Sequence, residues 1–130
     1  MPPSVAVIIA TLDRPADLLR CVRSVLACEY PRFEVIVVDQ SGPRASAPIT
    51  GDTRYRYVPT ETRGKCQALN EAVRHTTADV LVFTDDDCVV PRHWITRHVE
   101  VLSGEPTVDL VFGALLPGPH DPAQTLIPAF

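Results

Sequence analysis

Two runs dominated by apolar residues constrain the fold of this chain more than any other feature. They are VAVIIA at residues 5–10 and FEVIVV at residues 33–38, in which Glu34 is the single charged residue, and polar residues follow each of them closely. A strand with one face in water alternates apolar and polar side chains, whereas a continuously apolar strand is buried on both faces. Both runs therefore predict strands in the interior of a parallel sheet, with helices covering its two faces.

Helical patterns separate the predicted strands. Pro15 suits the first turn of a helix, and the predicted cap is Asp13 or Arg14, of which Asp13 has the better capping chemistry. The apolar residues that then recur at helical spacing are Leu18, Leu19, Val22, Val25 and Leu26. Further helices are predicted at 64–75 and 91–102, and further strands at 55–58, 80–84 and 108–116. This alternation predicts an α/β fold with three layers, α/β/α, around a mainly parallel sheet.

The size and charge of the chain exclude several classes of protein. Its 130 residues suffice for one domain with a core, and a net charge of −4 argues against a general nucleic-acid binder. No apolar run approaches the ~20 residues that span a bilayer, and the first residues lack the basic region of a signal peptide. We therefore predict a cytoplasmic location, with any membrane association supplied by a longer parent protein.

The cysteines are predicted to be packing residues. The chain has four, and none are in C-x-x-C spacing. Cys21 and Cys28 share one face of the first predicted helix, which favours packing over a zinc site or a disulfide.

Polar residues follow three of the predicted strands at their carboxyl ends. The segments are residues 11–14 (TLDR), 39–41 (DQS) and 85–87 (DDD). In parallel α/β sheets, ligands bind beyond the carboxyl ends of the strands. We therefore expect the three polar segments to converge at one edge of the sheet and to form a ligand site there.

The consecutive carboxylates Asp85, Asp86 and Asp87 have two interpretations. Adjacent like charges repel, so the run is costly unless water or a cation neutralises it. Mg²⁺ and Mn²⁺ prefer oxygen ligands, and Mg²⁺ is commonly held by one or two carboxylates together with substrate phosphates. In an extended segment, Asp85 and Asp87 would point to one side and Asp86 to the other. The alternatives are a solvated acidic turn and a divalent-metal site.

Asp39 and the segment around Lys65 also allow a structural and a functional interpretation. Asp39 could close the following loop as an Asx-turn, or accept hydrogen bonds from a ribose or a base. Arg63 and Lys65 flank Gly64 at a predicted helix start, where backbone amides favour phosphate; a solvated basic pair is the alternative. Neither G-x-G-x-x-G nor G-x-x-x-x-G-K-[ST] occurs, so neither a Rossmann dinucleotide site nor a P-loop is supported.

Four segments taken together resemble one known family. They are VAVIIATLDRPADLLRCVRSVL, FEVIVVDQSG, RGKCQALNEAV and VLVFTDDDCVVPRHW, in that order along the chain. They resemble the inverting family 2 glycosyltransferases of the GT-A fold, from about Ser4 to about Pro117. The resemblance implies a nucleotide-sugar-binding half-domain at residues 1–117. A Pro-rich tail at 118–130 would follow, where an acceptor-binding part would begin.

The resemblance also implies roles for individual residues. Asp85 and Asp87 match the D-x-D element that binds Mg²⁺ or Mn²⁺ and, through the metal, the diphosphate of the donor. Counting back from Pro91 gives an alternative register, in which Asp86 and Asp87 are the metal ligands. The residues expected at the nucleotide sugar are Thr11, Asp13, Arg14, Asp39, Gln40, Lys65 and Asp86.

The function that the resemblance implies is inverting transfer of a sugar from a nucleoside diphosphate to a hydroxyl acceptor. That acceptor could be a saccharide, a lipid-linked molecule or a small molecule. Gln40 departs from the acidic residue or Asn often found in the family, and an amide donates as well as accepts. Of the acids near the end of the chain, neither Glu105 nor Asp121 matches a motif that would make it the catalytic base.

The chain alone is therefore expected to be catalytically incomplete and to self-associate through exposed apolar surface. One alternative is a non-catalytic nucleotide-binding module that acts in assembly. A more distant alternative is a sugar nucleotidyltransferase, which would need a glycine-rich loop after the first strand.

Overall fold

Strands and helices alternate in the computed structural model, which describes residues 1–49, 51–119 and 123. The strands are β1 (Val5–Thr11), β2 (Phe33–Asp39), β3 (Tyr55–Pro59) and β4 (Val80–Phe83). The helices are α1 (Pro15–Leu26), α2 (Lys65–Val73) and α3 (Trp94–Gly104), with a short 3₁₀ turn at Gly42–Arg44. The predicted helices and the first four predicted strands are confirmed, with boundaries that move by a few residues.

All strand pairings in the described sheet are parallel, in the order β3-β2-β1-β4. The register pairs Ile8 with Ile36 across β1 and β2, and Val5 with Val80 across β1 and β4. Because the strands are parallel, their carboxyl ends meet at one edge of the sheet. The two strongly apolar runs, in β1 and β2, occupy the centre of the sheet, as predicted.

Successive side chains of the central strands pack on opposite faces of the sheet. On one face, Ile8 of β1 and Ile36 of β2 lie in a buried cluster with Ala68 and Ala72 of α2. On the other face a larger cluster joins the remaining core side chains of β1 and β2 to α1 and α3. The principal helical members of that cluster are Leu18, Val22, Val25, Ile95 and Val99. The predicted three-layer α/β/α fold is therefore confirmed.

The prediction of a fifth strand at residues 108–116 is wrong. The segment has no strand conformation, and its large apolar side chains are exposed: Leu110, Phe112, Leu115 and Leu116. It runs past α3, where a Cβ added at Gly113 would lie 3.3 Å from the His98 ring. An apolar pattern becomes a strand only when its backbone pairs with another strand, and this segment pairs with none among the described residues. Most of the predicted Pro-rich tail, including Asp121, lies outside the described residues.

The lack of an apolar run of ~20 residues predicts that no helix of this sequence spans a bilayer. Among the described residues, no helix combines the length and the apolar character needed to cross a bilayer.

The predicted packing role of Cys21 and Cys28 is confirmed. Both thiols are free and buried, whereas Cys66 is free and exposed on α2. Burial raises the pKa of the Cys21 thiol to about 12, with a further contribution from Cys88 and the nearby aspartates. The reactive form of cysteine is the thiolate, so Cys21 is chemically inert in the folded chain.

We predict that iodoacetamide at pH 8 alkylates Cys66 in the folded chain and leaves Cys21 unmodified. A pKa of about 12 means that almost no Cys21 thiolate exists at that pH, and burial excludes the reagent. Peptide mass spectrometry after timed labelling measures the two rates, with labelling in urea as the control. Equal rates at both positions in the native chain would contradict the packing assigned to Cys21.

One buried hydrogen bond ties the end of β1 to the segment after β4. The Thr11 hydroxyl donates to Asp86 Oδ2 at 2.7 Å, and both residues are buried. A buried carboxylate is costly unless donors satisfy its oxygens. Thr11 therefore stabilises the position of Asp86 and, with it, the turn that carries the neighbouring aspartates.

We predict that Thr11→Val destabilises the chain and that Thr11→Ser does so much less. Valine has nearly the shape of threonine but cannot donate, so the buried Asp86 carboxylate loses a partner, at a cost of about 1–3 kcal/mol. Serine keeps the hydroxyl. Urea denaturation followed by circular dichroism measures both free energies of unfolding. If valine and serine cost the same, the hydrogen bond does not stabilise the fold.

Candidate functional site

The three polar segments predicted to converge do meet at the carboxyl edge of the sheet. The backbone amide of Gln40 donates to the carbonyl of Thr11 at 2.9 Å. The amide of Asp13 donates to Ser41 Oγ at 2.8 Å, so the loops after β1 and β2 are joined. The Thr11–Asp86 hydrogen bond connects both loops to the segment after β4. Parallel strands make this convergence a direct consequence of the topology.

The aspartates after β4 lie in a turn and not in an extended segment, so the expected alternation of their side chains does not apply. The amide of Cys88 donates to the carbonyl of Asp85 at 3.2 Å and closes the turn. Asp86 points inward to Thr11 and is 7% exposed. The side chains of Asp85 and Asp87 are 54% and 53% exposed and contact different cations.

Two basic residues neutralise part of this acidic turn. Arg14 lies 3.5 Å from Asp86 Oδ1 and 3.2 Å from Asp87 Oδ2. The Lys65 ammonium group is paired with Asp85 Oδ1. The hydrogen bond to Asp85 raises the pKa of Lys65, with smaller contributions from Asp86 and Asp87. Each carboxylate of the turn therefore has a basic partner, and the chain itself neutralises part of the acidic run.

Lys65 reaches Asp85 because of the turn that precedes α2. Gly64 occupies the N-cap position with φ +88°, a conformation that side chains strongly disfavour. The Gln40 side-chain amide donates to the carbonyls of Thr62 at 2.8 Å and Gly64 at 3.1 Å. Gln40, expected at the nucleotide, thus anchors the loop that delivers Lys65.

Asp39 is buried at the end of β2 with both carboxylate oxygens engaged. Oδ1 accepts from the Ser41 amide at 2.8 Å, which confirms the Asx-turn. Oδ2 accepts from the Tyr57 hydroxyl on β3. Burial, together with the hydrogen bond to Asp39, raises the pKa of Tyr57. Tyr57 was not identified from the sequence, although a tyrosine near the end of a strand beside a buried acid needs a partner for its hydroxyl.

A cleft of about 260 Å³ opens between the loops after β1 and β2. Its lining residues are Thr11, Asp13, Arg14, Pro15, Leu18, Asp39, Ser41, Arg44 and Ser46. Asp13 has φ 55° and pairs with Arg44 across the cleft at 2.5 Å. The predicted capping role of Asp13 is therefore wrong: Arg14 occupies the N-cap of α1, and no side chain caps the helix. Arg44 and Ser46 lie on a loop without a motif and were not identified from the sequence.

The residues present fit a divalent cation in part. The described residues include no group of three or more His, Cys, Asp or Glu side chains arranged to hold a metal on their own. Asp85 and Asp87, with only Asp86 between them, nevertheless present exposed carboxylates in a turn. Such a donor set suits Mg²⁺ or Mn²⁺, which complete their shells with water and substrate phosphates.

Proteins of known sequence resemble this chain over most of its length. An N-acetylglucosaminyltransferase from Azorhizobium caulinodans is 31% identical over 123 residues, which is 88% of this chain and 31% of that protein. A beta-monoglucosyldiacylglycerol synthase from Synechocystis sp. is 28% identical over 123 residues, 87% of this chain and 25% of the relative. The chain therefore spans about a third or less of these relatives.

Solved structures resemble the fold. Crystal structures of S. aureus TarS, alone and in complex with UDP, superpose with a TM-score of 0.63 at 18% identity. The superposed region covers 78% of this chain and 32% of each TarS chain. At that identity the likeness shows a shared fold, which agrees with the predicted GT-A architecture.

The model for "Glycosyl transferase family 2" matches residues 6–122. The predicted family is thereby confirmed, and this chain belongs to glycosyl transferase family 2.

Proposed function

We propose that this chain binds a nucleoside-diphosphate sugar through a divalent metal ion and serves its inverting transfer to a hydroxyl acceptor. The observation that carries the proposal is the position of the acidic turn. Asp85 and Asp87 lie exposed near a cleft that Arg14 and Asp39 line. Arg14, at the N-cap of α1, pairs with Asp87, and Lys65, the first residue of α2, pairs with Asp85. The carboxyl edge of the sheet thus carries carboxylates that can bind a metal ion and basic side chains that can bind phosphate. It also carries a hydrogen-bond acceptor for a nucleoside.

The choice of donor is supported by proteins of similar fold and sequence. TarS has been crystallised in complex with UDP and in complex with UDP-GlcNAc. A relative from Azorhizobium caulinodans is named an N-acetylglucosaminyltransferase. We therefore choose UDP and UDP-GlcNAc as the first probes of this chain.

Each residue of the site has a distinct proposed role. Asp85 and Asp87 bind Mg²⁺ or Mn²⁺, while Asp86 is held by Thr11 and orients the turn. The bound ion supplies positive charge that stabilises the departing diphosphate. Lys65, at the first residue of α2, donates to the same diphosphate together with the free amides of the helix start.

The nucleoside side of the cleft depends on Asp39. Its buried carboxylate is fixed by the Ser41 amide and the Tyr57 hydroxyl, and its remaining lone pairs can accept from a ribose hydroxyl or a base N–H. A fixed acceptor loses little conformational entropy when a ligand binds. We therefore propose Asp39 as the nucleoside-recognition residue and assign no residue as the base that deprotonates the acceptor hydroxyl.

We predict that UDP binds the chain with Mn²⁺ and that Asp85→Asn/Asp87→Asn loses the metal dependence. Neutral amides are weak ligands for a hard cation, so the metal bridge to the diphosphate is lost. Titration calorimetry with and without Mn²⁺ measures the effect.

The matched control for this double variant is Glu29→Gln/Glu100→Gln. It also removes two exposed carboxylates that are each paired with an arginine, and neither ion pair includes a residue of the acidic turn. We expect the control to bind Mn²⁺ and UDP like the unmodified chain. Metal-dependent UDP binding that survives in Asp85→Asn/Asp87→Asn would falsify the metal assignment.

We predict that Asp39→Asn weakens binding of UDP by about tenfold and leaves binding of pyrophosphate unchanged, both in the presence of Mn²⁺. A charge-assisted hydrogen bond to the nucleoside is worth about 1.5–3 kcal/mol, whereas pyrophosphate has no nucleoside to contact. Calorimetry with each ligand separates the two contributions. An equal loss for both ligands would show that Asp39 acts on the diphosphate end or on the fold, contrary to its proposed role.

A further inference from the structure

Both carboxylates proposed as metal ligands already have a cationic partner in the ligand-free chain. Lys65 is paired with Asp85, and Arg14 lies 3.2 Å from Asp87. These four side chains are all more than half exposed, so water screens both ion pairs. Each pair can therefore open at small cost.

Asp86 behaves differently from its two neighbours. It is 7% exposed, and the Thr11 hydroxyl donates to it at 2.7 Å. A buried carboxylate with a satisfied hydrogen bond does not exchange partners easily, because opening the contact leaves an unpaired charge in the interior. Exchange at this turn therefore concerns the Lys65–Asp85 and Arg14–Asp87 pairs, while the Thr11 hydrogen bond keeps Asp86 in place even if its longer 3.5 Å contact with Arg14 opens.

The charges of the acidic turn are almost but not fully neutralised by its basic partners. Three carboxylates face two cations, Arg14 and Lys65, so the group retains one negative charge. Both cations stand at the start of a helix, Arg14 as the N-cap of α1 and Lys65 as the first residue of α2. Helix amino ends disfavour cations and attract anions. The aspartates hold both cations where an anion would otherwise be the preferred partner.

We propose that Lys65 and Arg14 occupy the place of the metal ion in the ligand-free chain and transfer to the diphosphate when the metal–nucleotide binds. The inference rests on the proposed function and goes beyond it by linking the two ligands. Lys65 and Arg14 compete with a metal that binds alone, because they neutralise the same carboxylates. They assist a metal that arrives with a diphosphate, because the phosphate oxygens accept the hydrogen bonds that the carboxylates release. Metal and diphosphate therefore bind cooperatively.

We expect Lys65→Met to change the affinities for Mn²⁺ alone and for UDP in opposite directions. Removing the competitor from Asp85 tightens binding of Mn²⁺ alone, by about threefold for an exposed pair. Removing a donor to the diphosphate weakens binding of UDP in saturating Mn²⁺, by about tenfold. Loss of the free Mn²⁺ signal in electron paramagnetic resonance measures the first constant, and calorimetry measures the second. Circular dichroism confirms that the variant is folded.

Arg74→Met is the matched control for this experiment. Arg74 is exposed at the C-cap of α2, so the variant removes one positive charge from the opposite end of the same helix. We expect it to leave both constants near those of the unmodified chain. Tighter Mn²⁺ binding with weaker UDP binding, in Lys65→Met alone, supports the exchange.

Two other results would overturn the inference in distinguishable ways. If the unmodified chain binds Mn²⁺–UDP but Lys65→Met lacks either effect, or matches Arg74→Met, the exchange is wrong and the proposed function remains. If the unmodified chain binds neither Mn²⁺ nor Mn²⁺–UDP, the proposed function fails and the exchange fails with it.

Discussion

The hydrogen bond from Thr11 to Asp86 is the contact on which the functional edge depends. It joins the last residue of β1 to the acidic turn after β4, and it does so in the interior. The turn carries two further aspartates that repel each other and Asp86, so it would be costly without an anchor. With Asp86 held, Asp85 and Asp87 are left exposed on either side of it and can face ligands.

The sheet supplies the rigidity behind this contact. β1 lies between β2 and β4, and its side chains pack against helices on both faces. Its carboxyl end is therefore the best-supported point of the edge, and both neighbouring loops are bonded to it or to the residues that follow it. Gln40 bonds Thr11 through its backbone amide, and Asp13 bonds Ser41. A ligand at this edge would meet a preformed frame with exposed charges, which favours binding because little backbone order has to be created.

Burial divides the aspartates at this edge into two groups that differ in their electrostatic partners. Asp39 and Asp86 are buried, and neutral hydroxyl groups donate to them, from Tyr57 and Thr11 respectively; Arg14 lies 3.5 Å from the other oxygen of Asp86. Asp85 and Asp87 are exposed and hold basic side chains. Buried carboxylates with neutral donors keep both their charge and their position. Exposed ion pairs are weak and can rearrange. The same residue type thus makes fixed contacts where it is buried and exposed ion pairs where it is not.

Several features of this chain could be predicted from local pattern because they depend on short-range physics. The apolar runs identify the central strands, since a strand buried on both faces has no polar position. The order of strands and helices then requires a shared carboxyl edge, where the three polar segments meet. The four segments around Asp13, Asp39, Lys65 and Asp85 together predicted the family, which the match over residues 6–122 confirms. The wrong strand at residues 108–116 shows the limit, because apolar alternation does not reveal whether a partner strand exists.

The sequence by itself determined the fold class, the family and the edge at which the three polar segments meet, because periodicity and strand order are properties of the chain. Only the tertiary structure decided which partner each polar side chain has. It placed Gln40 on the loop before α2, turned Asp13 to Arg44, and brought Tyr57 to Asp39. Those pairings join residues distant in sequence, and their geometry depends on loop conformations and positive φ angles that side-chain patterns do not encode.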